Sequence, residues 1–96
     1  MDEHAQTEAL KNRTGELRVQ FLECELDLCK TLMELTKAER KYGNDEHAAV
    51  GVEHVTHGLA TVRKFVLLVP PGDDRTRIAK RLERLEAELA DWGVLL

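Results

Sequence analysis

From Leu10 to Tyr42 the chain repeats with alternating steps of four and three residues: Leu10, Thr14, Leu17, Phe21, Cys24, Leu28, Thr31, Leu35, Ala38, Tyr42. This spacing averages 3.5 residues, the period at which one stripe of an α-helix keeps facing a neighbour. A strand alternates every second residue and could not sustain it. A second row, Val19, Leu22, Leu26, Cys29 and Met33, lies roughly 130° round the same helix, with Leu32 in the arc between. Glu23, Asp27, Lys30, Glu34 and Lys37 are expected on the opposite face. The spacing predicts one helix over about 4–41.

Two breaks divide the rest. Gly43 stands where a helix C-cap favours a left-handed residue, and Asn44, followed by Asp45 and Glu46, reads as the N-cap of the next helix. Pro70-Pro71-Gly72 ends that helix, and Asp73 or Asp74 is expected to cap a third. The second segment, 45–69, repeats at Ala48, Val52, Val55, Leu59, Val62, Val66 and Val69. Its last five residues taken alone read as a strand, but the heptads leading into them favour helix. Gly51 and Gly58, seven apart, weaken a helix and so imply close backbone approach to a neighbour. The third segment, 74–92, has one seam, Ile78, Leu82, Leu85, Leu89 and Trp92, and Gly93 is expected to stop it.

The expected fold is therefore all-α: a single domain forming a three-helix up-down-up bundle with a long first helix. About half the chain is Ala, Glu, Lys, Leu or Arg, as in long helices. In such a bundle each helix needs two apolar faces, and the third has one. One row of the first helix is thus left over, and a contiguous apolar patch usually marks an interface. We expect Val19, Leu22, Leu26 and Met33 to meet a second copy, giving a homodimer, or else another helical protein.

Composition removes several functions. Net charge is −4, and no third of the chain is basic, so nucleic acid is not an expected partner. The apolar run 65–72 is far short of a membrane span, and the polar, acidic start lacks the features of a signal peptide. Cys24 and Cys29 are five apart and point away from each other on a helix, so both are expected as small buried apolar groups in a reducing compartment, the cytoplasm. The chain has no serine and no glycine-rich phosphate loop, and Cys24 sits among Glu23, Glu25 and Asp27 rather than in the electropositive setting that activates a thiol. The expected class is a non-enzymatic interaction or scaffold module without a cofactor.

The alternative rests on histidines. His54 and His57 share a helix face, with His47 two turns earlier on nearly the same side and Glu53 nearby. Three imidazoles on one face could hold a metal or a small ligand. Against this, the facing Glu-x-x-His pairs of metal-binding bundles are missing. Arg75, Arg77, Lys80, Arg81 and Arg84 form a basic cluster without interleaved aromatics, which reads as a solvated face.

Overall fold

The computed structural model describes residues 3–95, and among these all regular structure is helical. The helices are α1 (Glu3–Lys41), α2 (Asp45–Val66) and α3 (Asp73–Leu95). The side chains of residues 3, 4, 7, 8, 11, 12 and 93–95 lie outside the described set. At about 1.5 Å per residue the 39 residues of α1 span roughly 58 Å, close to the molecule's longest dimension of 62 Å.

The turn after α1 closes as glycine at that position implies. Gly43 has φ +83°, its N–H donates to the Arg40 carbonyl, and the Asn44 N–H reaches back to the Glu39 carbonyl at 2.8 Å. These two bonds form a Schellman motif, which satisfies carbonyls that the helix end leaves open. Asn44 precedes α2, but its side chain makes no capping hydrogen bond. At the second break α2 ends at Val66 rather than 69. Leu68 and Val69 donate to Phe65 and Val66, a tightened final turn, because Pro70 disfavours helical geometry at the residue before it. Neither aspartate caps α3. The first i→i+4 bond runs from the Thr76 N–H to the Gly72 carbonyl, and Asp73 and Asp74 occupy the first turn, where the helix dipole favours acids. Gly93 does not stop α3, since one interior glycine costs only about 1 kcal/mol against alanine.

The core reverses the expected assignment of rows on α1. Leu22, Leu26, Cys29 and Met33 are buried, with Val19 packed against their edge. They meet Val55, Leu59, Val62, Val66 and Val69 from one side and Ile78, Leu82, Leu85 and Trp92 from the other. The four residues expected to face a second copy are therefore the intramolecular core. The 4-3 seam lies on the outside, and Cys24 with it. Two features explain the reversal. The seam alternates large side chains with Thr14, Cys24, Thr31 and Ala38, so its layers fill poorly. The second row offers compact groups where α2 comes closest: Gly51 lies over Thr36, and Gly58 over Cys29. A methyl group on Gly51 would collide with the Thr36 hydroxyl, and one on Gly58 would sit 2.6 Å from the Cys29 sulfur.

The same contacts order the helices. Position along α2 rises as position along α1 falls: His47 is near Glu39, Gly51 near Thr36, Gly58 near Cys29, and Arg18 donates to the Leu68 carbonyl. Along α3 both rise together. Arg77 bonds Glu23, Arg81 bonds Asp27, and Lys37 bonds Glu88 while its ammonium lies 5.3 Å from the Trp92 ring centre. Glu23, Asp27 and Lys37 thus lie beside α3, with Asp27 and Lys37 still exposed to solvent. Exposed ion pairs of this kind contribute about 0–1 kcal/mol each, so they align α3 more than they hold it.

Two outcomes follow from this packing. Gly58→Ala raises helix propensity by about 1 kcal/mol but should still destabilise, because overpacking typically costs about 1–3 kcal/mol. Adding Cys29→Ala removes the colliding sulfur, so in urea titrations the double variant should be more stable than the two single losses sum to; additive losses would refute the close approach. Leu26→Glu buries an unpaired carboxylate at a cost of several kcal/mol and should abolish the helical circular dichroism signal. Leu28→Glu, two residues away, should leave it unchanged.

Candidate functional site

Six large apolar side chains stand along the outer face of α1: Leu10, Leu17, Phe21, Leu28, Leu35 and Tyr42. Each is between 49% and 77% exposed. Cys24, Thr31 and Ala38 complete the row and are exposed too. Single apolar groups on a surface are ordinary, but a row at heptad spacing is the pattern that knobs-into-holes pairing with another helix requires. The face is built by the same helix that carries the core. Before Gly15 every described side chain is exposed, and Gly15, Glu16 and Val19 are the first residues to line the cleft beside the 69–74 turn. The first three turns of α1 therefore project past the bundle.

A second feature is a groove of about 470 Å³ between α1 and α2, lined by Glu25, Leu28, Cys29, Leu32, Glu53, His54, His57, Gly58 and Thr61. His54 and His57 meet there, with Glu25 and Glu53 on the same walls. His47 does not join them. It sits near the other end of α2, its Nδ1 3.4 Å from Glu39 Oε2, an oxygen with no hydrogen bond among the described residues. The described residues contain no group of three or more His, Cys, Asp or Glu placed to hold a metal ion. The three histidines that share a stripe in the sequence are thus not one site.

Two members of the basic cluster on α3, Arg77 and Arg81, are paired within the molecule. Arg77 is shared between Glu23 and Asp74, which holds its guanidinium more firmly protonated, and Arg81 reaches Asp27. Arg63 of α2 pairs with Glu86 in the same way. These cross-helix pairs were open to sequence reasoning: Glu23 and Asp27 are four apart, as are Arg77 and Arg81. No helix among the described residues is long and apolar enough to cross a membrane.

The cysteines differ sharply. Cys24 is exposed on the apolar row, while burial, with Glu25 adding to it, pushes the Cys29 thiol up. A thiol reagent should label Cys24 at the rate of a free thiol and Cys29 only through opening of the fold. The raised value means that the folded chain favours the protonated thiol. Its contribution is full below the ordinary thiol range near pH 8.5 and is lost as pH rises through it. Wild type should therefore lose more stability than Cys29→Ala between neutral and alkaline pH; equal losses in thermal melts would contradict the burial.

Comparison with protein families, with curated proteins and with solved structures finds no match to this chain, so a functional reading rests on these surfaces.

Proposed function

We propose that this chain is a small non-enzymatic interaction module: an up-down-up helical bundle that binds another helix through the outer face of α1, with a second copy as the favoured partner. The observation that carries this reading is the 4-3 row from Leu10 to Tyr42, left exposed on a helix whose other side already supplies the core. Selection for a stable monomer alone gives no reason to keep leucine or phenylalanine at those positions. The up-down-up course is supported by the order of contacts along α1 and α2. A reducing, cytoplasmic setting suits two free cysteines, one of them exposed.

The alternative, a metal or small-ligand protein using His47, His54 and His57, has less behind it. Only His54 and His57 line the groove, and His47 is elsewhere.

The test is positional. A photo-crosslinking amino acid at position 28 or 35 should give discrete adducts in the cells of origin, whether with a second copy or with one other protein. The same group at Lys80, exposed on α3, should give none. Absence of adducts from both α1 positions, or an identical pattern from position 80, would defeat the interaction reading.

A further inference from the structure

We propose that the partner of the α1 face is a second copy of this chain running antiparallel, with position i of one copy facing position 45 − i of the other; this rests on the interaction reading above. In heptad terms Thr14, Phe21, Leu28 and Leu35 take one core position of the outer seam, and Leu10, Leu17, Cys24 and Thr31 the other. In this register Leu28 meets Leu17 of the second copy, Leu35 meets Leu10, Phe21 meets Cys24, and Thr14 meets Thr31. Every leucine of the row between Leu10 and Leu35 then packs on a leucine, and the largest ring faces one of the smaller side chains.

Charge selects the direction. The described ionic residues bordering the seam are basic in its first half, Arg13 and Arg18, and acidic further on, at Glu25, Asp27, Glu34 and Glu39, with Lys41 at the far end, level with uncharged Gln6 in this register. Pairing in parallel would set Arg13 beside Arg18 and Glu34 beside Glu39 of the other copy, like charges in both places. An antiparallel pairing shifted by one heptad, with i facing 52 − i, would set Glu25 against its own copy and Asp27 against its own. With i facing 45 − i, Arg13 lies by Glu34 and Arg18 by Glu25, each pair occurring twice by the two-fold symmetry, and Gln20 lies by Asp27. This register brings no two like charges together among these residues. A helix dimer chooses orientation and register by such flanking charges.

The projecting end of α1 points the same way. An isolated helical stretch of about a dozen residues is marginal in water. Antiparallel pairing about the midpoint between Leu22 and Glu23 lays Leu10 and its neighbours on residues 31–35 of the second copy. That half of α1 is braced by α2 through the Thr36–Gly51 contact. Each copy's unsupported arm then rests on the other's braced half.

Sedimentation equilibrium at low salt measures the pairing. Wild type should dimerise. Arg18→Glu turns two attractive pairs repulsive and should weaken association about tenfold, as should Glu25→Arg. Combining Arg18→Glu with Glu25→Arg restores both pairs and should recover most of the wild-type affinity. Direction is read separately in a Cys24→Ser background: on oxidation, Thr14→Cys mixed with Thr31→Cys should give the mixed disulfide dimer, and Thr14→Cys alone should not. A self-linked Thr14→Cys dimer, or a double charge variant no better than the single ones, would overturn the antiparallel register. A wild type that stays monomeric at every concentration would overturn self-pairing. The crosslinks from positions 28 and 35 to another protein would in that case still stand, so the two readings fail separately.

Discussion

One long helix with apolar rows on nearly opposite sides is the constraint on which the rest of the molecule depends. A helix in a three-helix bundle must bury the arc its two neighbours share, and α1 does so with Leu22, Leu26, Cys29 and Met33, all at most 2% exposed. Fully burying side chains of this size contributes about 1.5–3 kcal/mol each. Once that row is committed, the outer row of α1 stays exposed, because the seams of α2 and α3 are used against the inner row. The exposed heptads are therefore a consequence of helix count.

Which row goes inward is decided by α2. Gly51 and Gly58 are seven apart, as are Thr36 and Cys29, and the two pairs interlock. Small groups facing small groups let the backbones approach, and the valines between them then fill the space. Had α2 packed on the Leu28–Leu35 face instead, its glycines would have met leucines and left its valines short of contact. The Thr36 hydroxyl, buried at this crossing, is satisfied by donating to the Leu32 carbonyl at 2.7 Å.

Much of this was legible before any coordinates. The three helices, the Gly43 turn, the core seams of α2 and α3, and the close approach at Gly51 and Gly58 all follow from spacing and turn chemistry. The inward face of α1 did not, because two rows with the same 3.5-residue step give the same periodicity signal. The signal that separates them was present: an i,i+7 pair of glycines on one helix asks for an i,i+7 pair of compact residues on the next, and Cys29 and Thr36 answer it. The charged row stands largely exposed, as its spacing implies, but its pairing with α3 is not visible on one helix alone. Glu23 and Asp27 look like a solvated face until they are matched with Arg77 and Arg81, four apart on another helix. The histidine stripe shows the opposite limit. Shared azimuth put His47 with His54 and His57, but the two sites lie two helical turns apart and have different neighbours across the crossing.

The two shorter helices are fastened to α1 by different kinds of joint. α2 is seated by interlocking shape, glycine against threonine and cysteine, while α3 is flanked by three exposed ionic links at Glu23, Asp27 and Lys37. Mobile ions screen the second kind and leave the first untouched. Ionic strength thus acts as a selective lever on this small molecule. It weakens the ionic links along α3 while the α1–α2 pair keeps its fit, so the solvent has a grip on one wall of the bundle that it lacks on the other.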